Sequence, residues 1–496
     1  MYLLIAMMML FLCTCTKDEG YLSDSSRQDD LLKKANTKAA VFSVSPNDVD
    51  DTQAIKDAFA AAKEAGPGSV VKLAEGTFII GPIEISDFYG YFQGAGKGKT
   101  IISNLPDLPC NDLWAINNVP HLMEFVSGDF TISDMTFHIN DGCPCANKEA
   151  NPYRETYGDM LVTVLVLTDY ACDYTKNPPD LPPSNHYIKG VVKDVDFISG
   201  VLCEDGIFPY PNEENLNFNT NMTILVGAPW WVRNFNEPLS NGEITVSGCG
   251  FERCTVGPDI AQFSKNSKFI IENNYFSECL CGVYSYFNLG GQISVRNNKF
   301  QDGIWGSLYV DDDDYGVFPE ITYPNQTEWQ ITGNTFQGSP GTVSLLLRDY
   351  RRTQYADEGS PQLFNIKGNT FISQEGGTAI YGLNNKDAKI WNNKFTGTGS
   401  IGVMIDGNEA TDTWAENNNL IGNNFFGSTY TDASVYLGPY SMNCKVVGVA
   451  KDLVVDEGVN NSVIGVKAQK KGVQSGQYLQ SNLKNMHEIF MRRGRL

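Results

Sequence analysis

The feature that most limits this chain is that it repeats. Seven segments align: ITVSGCGFERC at 244–254, FIIENNYFSEC at 269–279, ISVRNNKFQDG at 293–303, WQITGNTFQGS at 329–339, FNIKGNTFISQ at 364–374, AKIWNNKFTGT at 388–398 and NLIGNNFFGS at 419–428. Each has a short alternating strand, an Asn or Gly-Asn, a spacer and a Phe. The Phe fall at 251, 276, 300, 336, 371, 395 and 426, in steps of 25, 24, 36, 35, 24 and 31. Constant units with variable inserts are coils of one size carrying loops of different sizes. FTISDMTFHI at 130–139 and VVKDVDFISG at 191–200 read as weaker, earlier members. A strand–turn–strand unit this short cannot bury its own apolar face, but it can when stacked on its neighbours. The expected fold is therefore all-β: a single-stranded parallel β-helix with the Phe stacked inside. Asn274, Asn298, Asn334, Asn369, Asn393 and Asn424 are expected at one corner, where Asn tolerates the left-handed conformation and bonds to the Asn one coil away. Cys254 and Cys279 occupy equivalent places in adjacent coils. Stacked strands lie about 4.8 Å apart, within disulfide range, so a bridge and a stack of free thiols are both open.

The 496 residues are 42% hydrophobic, with a net charge of −21. That charge argues against nucleic acid as a partner. The first fifteen residues, MYLLIAMMMLFLCTC, are too short to span a bilayer and suit a signal peptide. Leu12-Cys13-Thr14-Cys15 resembles a bacterial lipobox with Cys15 as the lipidated residue, and Thr16-Lys17-Asp18-Glu19 resembles an acidic surface-sorting signal. The expected organisation is a signal peptide at 1–15, a polar tether at 16–44, the solenoid at 45–475 and a helical cap or tail at 476–496. The expected location is the outer membrane surface, with secretion or the periplasm as alternatives, and a monomer is expected.

Asp50-Asp51-Thr52 reads as a helix start, followed by AIKDAFAAAKEAG with apolar residues at helical spacing. SVVKLAEGTFII then reads as strand, turn and strand. QGAGKGKT at 93–100 misses a phosphate-binding loop by one residue, since Gln93 stands where the first glycine should be. Ile101-Ile102 follows it, so a turn leading into a strand is expected there, not the helix that such a loop needs. The order of acidic-Asp-Thr, short helix, Leu-Ala-Glu-Gly-Thr-Phe and Gly-Ala-Gly-Lys-Gly-Lys-Thr resembles the start of pectate-lyase-like proteins, and the resemblance extends over roughly residues 45–470. It implies a right-handed parallel β-helix with a short N-terminal capping helix, and a polysaccharide partner. The polygalacturonase-like glycosidases of that fold carry a Gly-His-Gly signature, which this chain lacks.

Candidate chemistry sits on the strands that follow each Phe. Aligned on their first residue, they end in a column of Asn288, Asp312, Arg348, Asn384 and Gly407, with Asp311 and Asp406 one place earlier and Asp313 and Asp349 one place later. Upstream strands add Asp169, Tyr170, Trp230, Trp231, Arg233 and Lys265 as substrate-binding candidates, together with Asn288 and Asn384. Aromatic rings cover sugar faces, and amides and carboxylates bond hydroxyls. Two chemistries fit. A lyase needs a cation to neutralise a uronate: Arg348, Arg351, Arg352 and Lys265 are available, and Asp311, Asp312, Asp313 and Asp314 form a candidate Ca²⁺ set. A glycosidase needs two carboxylates, from the pool Asp311, Asp312, Asp349 and Asp406. The competing readings are a solvated acidic loop for DDDDY, a structural ion-pair network for RDYRR, and a non-catalytic glycan-binding surface protein. His121, His138, His186 and His487 show no metal spacing.

Overall fold

The computed structural model describes residues 39–105, 121–139, 163–168, 187–199, 222–227, 242–254, 256–261, 267–279, 281–286, 290–303, 306–311, 326–349, 362–409 and 412–465. Within them one parallel sheet of 31 strands winds into a right-handed β-helix. The helix Thr52–Ala65 is the α-helix of the described residues. It buries Ile55, Ala58, Phe59 and Ala62, and Phe59 meets Phe88, Phe92 and Phe125 at ring distances of 5.0, 5.1 and 5.9 Å. So it plugs the N-terminal end of the solenoid. The sequence assigned Asp50 and Asp51 one shared capping role, and the structure divides it. Asp50 accepts from Thr52 N–H at 2.9 Å, while the buried Asp51 carboxylate accepts from the N–H groups of Asn47 and Ile79 and ties the cap to the first coils. Val41–Val44, in the stretch expected as tether, is already a strand paired with Ser69–Leu73.

Thr100–Asn104 is the strand expected after the glycine-rich turn. The turn's Lys97 pairs with Asp196 at 2.7 Å and donates to Gly248 O, so it fastens neighbouring coils.

Inside, Phe137, Phe197, Phe251, Phe276, Phe300, Phe336, Phe371, Phe395 and Phe425 form one continuous stack. Neighbouring centroids are 4.4 to 5.4 Å apart and the rings tilt by only 6° to 12°. Phe425 occupies the place expected for Phe426, which instead is 88% exposed. The Asn ladder is displaced in the same coil. Each side-chain amide of Asn274, Asn298, Asn334, Asn369 and Asn393 donates to the next Oδ1 at 3.0 Å, and the last acceptor is Asn423, not Asn424. Each of these amides also donates to a backbone carbonyl of the preceding coil, so both hydrogens of every ladder amide are used at the buried corner. The residue before each ladder Asn takes the left-handed conformation: Asn273, Asn297, Gly333, Gly368, Asn392 and Gly422 have φ of 58°, 55°, 66°, 64°, 54° and 66°. The true unit is therefore a left-handed residue, then Asn, any residue, and Phe. Gly422-Asn423-Asn424-Phe425 fits it, and the doubled Asn and Phe of that segment concealed the register.

Cys254 and Cys279 are buried free thiols. Burial and their mutual contact push the Cys254 thiol well up, which keeps it neutral and unreactive.

Candidate functional site

The strands Val256–Ala261, Cys281–Tyr286, Gly306–Asp311, Val343–Arg348 and Thr378–Leu383, then the end of Lys394–Asp406, the end of Ser428–Leu437 and Val454–Asp456, make one wall of the solenoid. Alternate residues point away from the core. One outward column runs Glu84, Glu124, Val166, Asp259, Tyr284, Tyr309, Leu346, Tyr381, Met404, Tyr436 and Val455, with Leu225 placed between Val166 and Asp259 by backbone register. Two residues further along each strand, Asp311, Arg348, Leu383 and Asp406 follow one another.

This register differs from the one read off the sequence. Arg348 shares its column with Asp311 and Asp406, not with Asp312, Asn384 and Gly407. In an alignment on first residues Gly341 stands against Gly377, one place out of register. The left-handed turn position belongs to Gly341 and Gly376, both at φ 71°, and Val343 pairs with Thr378. Asp349 and Asn384 lie one place beyond, fully buried at 0% exposure, at a corner behind the wall. Arg348 is 3% exposed. Asp312, Asp313, Asp314, Asp169, Tyr170, Trp230, Trp231, Arg233, Lys265, Asn288, Arg351, Arg352 and Cys15 lie outside the described residues, and Asp311 is described only in its backbone. Among the described residues no group of three His, Cys, Asp or Glu is placed to hold a metal.

Asp406 is the predicted residue that reaches a partly open surface. It ends its strand, and its Oδ1 accepts from the N–H groups of Gly407 at 2.9 Å and Tyr440 at 3.1 Å. The next strand places Gly438 beneath it. A Cβ there would lie 2.1 Å from the Asp406 carboxyl carbon, so glycine is what lets the carboxyl lie across to the following coil. Burial raises the Asp406 carboxyl to about 6, helped by the charge of Glu457, while the two backbone donors pull the other way. Glu457 is exposed one coil beyond Gly438, its N–H bonded to Leu437 O. Its Oε2 accepts from Tyr436 O–H at 2.8 Å. On the other side Tyr381 lies within reach of both Asp406 and Arg348. Its hydroxyl is held well above the usual range, first by burial and then by Asp406, which unfits it as a base near neutral pH.

An antiparallel bridge joins Asn408 to Thr413, and the adjoining Trp414 lies against Tyr440 with centroids 5.2 Å apart at 46°. Both rings are partly exposed. Trp414, Tyr436, Tyr440 and Glu457 were not legible as site residues from sequence, since it is the stacking of coils that brings them to Asp406.

Two further carboxyls share the wall. Glu124 is raised to about 7 by burial and then by Glu84 on the adjacent strand, and His121 Nε2 stands 3.6 Å from it. Asp259 is 2% exposed, and its Oδ1 finds no hydrogen-bond partner among the described residues. Burial alone raises its carboxyl well above the usual range. A raised folded value means that the native state holds the proton more tightly than the unfolded chain. Stability therefore falls as pH rises above the unfolded carboxyl value of about 4. Asp259→Val is expected to stabilise the protein by about 1–3 kcal/mol at neutral pH and to flatten this decline. Thermal melts of both proteins at several pH values check it; a lower melting temperature for the variant refutes it.

No protein-family model matches the chain, and no curated protein matches it. Solved structures do. The A-module of the Azotobacter vinelandii mannuronan C-5 epimerase AlgE6 superposes with a TM-score of 0.50 at 14% identity, over 85% of this chain and 96% of that one. DFA-IIIase from Arthrobacter chlorophenolicus A6, solved with DFA-III, gives 0.50 at 11% identity, over 88% of this chain and 100% of that one. At these identities the likeness defines the fold alone: the chain is a right-handed parallel β-helix protein.

Proposed function

We propose that this protein acts on a polysaccharide, and that the end of the wall around Asp406 hydrolyses a glycosidic bond. The observation that carries this reading is the pairing of Asp406, its carboxyl raised to about 6, with Glu457 two strands along the same column. Two strand spacings separate their backbones by about 10 Å, and the Asp406 carboxyl lies over Gly438 toward its partner. That suits the separation of about 6.5–9.5 Å at which one carboxyl protonates the leaving oxygen while the other activates water. Asp406 would give its proton to the glycosidic oxygen. Glu457, held by Tyr436, would take a proton from the water that attacks the anomeric carbon from the opposite face. Trp414 and Tyr440 would carry the sugar ring. The neighbour named for its action on mannuronan lends support to a glycan ligand.

The test is a screen of the protein lacking residues 1–38 against acidic, neutral and amino polysaccharides. New reducing ends without ultraviolet-absorbing unsaturated products are expected. The rate should fall as pH rises through about 6, as the acid loses its proton. Unsaturated products would instead identify a lyase, and silence with retained binding a non-catalytic glycan receptor. The proposal also keeps the anchor at Cys15 on the outer membrane surface, to be checked by labelling cells with a lipid analogue. Calcium at Asp311, Asp312, Asp313 and Asp314 is to be checked with a chelator.

A further inference from the structure

Among the described residues, the charges felt at Asp406, Tyr436 and Tyr440 are all negative, and Lys386 in the neighbouring coil is paired with Glu416 at 3.6 Å. Glu457 acts on Asp406, Glu457 and Asp406 act on Tyr436, and Glu409, Asp412 and Asp406 act on Tyr440. Glu409 and Asp412 are exposed. They stand beside the Asn408–Thr413 bridge, linked by Asp412 N–H to Glu409 O at 3.2 Å, and Asp412 lies two residues before Trp414, whose ring meets Tyr440. Among the described residues the nearest wall cation is Arg348, two strands back, 3% exposed and felt at Tyr381. An open aromatic pair ringed by Asp406, Glu409, Asp412 and Glu457 is hostile to a polyanion, and the net charge of −21 adds to the repulsion. It is suited to a cation, which gains both from the carboxylates and from the aromatic faces.

We infer that the Trp414–Tyr440 site selects its glycan by charge, taking amine-bearing sugars and rejecting polyuronates. This rests on the proposed glycan-acting site and names its substrate class. Glu409 and Asp412 act as the specificity rim, apart from the Asp406 and Glu457 chemistry. Like charges brought to such a rim are disfavoured at long range, so the selection acts on encounter as well as on the bound complex.

The experiment measures binding of glucosamine, galacturonate and glucose hexasaccharides to the Asp406→Asn protein, which cannot cleave them. At about pH 5 the amines are charged, and the parent's Asp406 is mostly protonated and so well mimicked by Asn. The glucosamine hexamer is expected to bind at least about tenfold more tightly than the galacturonate hexamer in dilute buffer, and the gap should shrink in about 0.5 M salt. Glu409→Gln with Asp412→Asn should narrow it by at least about threefold. Equal or tighter binding of galacturonate overturns the inference, as does neutral hexamer binding that matches the amine. Binding of the amine that survives Trp414→Ala also overturns it, by placing the ligand elsewhere. A protein that binds none of the three and cleaves nothing in the screen overturns the glycan reading itself; one that cleaves a uronate overturns only the charge selection.

Discussion

Asp406→Asn is expected to abolish glycan cleavage while leaving the fold intact. The amide keeps an oxygen for the Gly407 and Tyr440 N–H groups, so the strand end and the 440 turn stay tied. What is lost is the proton. General acid catalysis contributes about 10²–10⁴ in rate, and a fall of kcat in that range with KM little changed is the expected result. Glu457→Gln should fall comparably, but for lack of a base. Because the Asp406 carboxyl is raised largely by burial, its replacement by a neutral amide should hold or raise the melting temperature. Steady-state kinetics on the substrate found in the screen, paired with thermal melts, separates the cases. A variant that keeps full kcat places the acid elsewhere, and one that melts many degrees lower makes Asp406 a structural residue.

The second large effect is on stability. Phe336 is fully buried in the middle of the aromatic stack, 5.0 Å from Phe300 and 4.9 Å from Phe371. Phe336→Ala should cost about 3–5 kcal/mol, because a ring-sized gap opens between rigid neighbours that the backbone ladder holds apart. Asn334→Ala, in the same coil, should cost about 1–3 kcal/mol. It strands the Asn298 N–H and amide, both of which donate to Asn334 Oδ1. Urea denaturation reads both. The Phe426→Ser control at the exposed look-alike position should shift nothing. Equal effects at 336 and 426 would refute the assigned stack.

Much of this architecture is legible in the residues themselves, because a solenoid writes its core at a fixed place in each coil. Phe251, Phe276, Phe300, Phe336, Phe371 and Phe395 and their Asn partners are found by spacing alone. The misreading at 423–426 arose where both marker residues are doubled, and the left-handed Gly422 was the signal that resolves it. The site was less legible. Arg348, Asp349, Asn384 and Asp406 were recognisable as polar ends of apolar strands, but their pairing depended on which of two glycines takes the turn at 376–377. Tyr436, Glu457, Trp414 and Tyr440 come to Asp406 only through stacking. The raised carboxyls of Asp259 and Glu124 follow from burial, which no local pattern encodes.

The place of the Asp406 group along the solenoid has a consequence for how the protein fails under stress. Every coil is held by the coil on each side, so loss of structure proceeds from an end inward, as a zipper opens. The N-terminal end is stoppered by a helix packed on four aromatic residues of its own and the coils beneath. At the other end of the described solenoid the last strand, Ser462–Ile464, pairs on one side with Lys445–Val447, and Asp406, Tyr436 and Glu457 lie within the few turns that precede it. Residues 466–496, which include the expected cap or tail, lie outside the described residues; whatever covers Ser462–Ile464 also guards the Asp406 group, and a truncation that uncovers this end should cost activity while most of the solenoid stays wound.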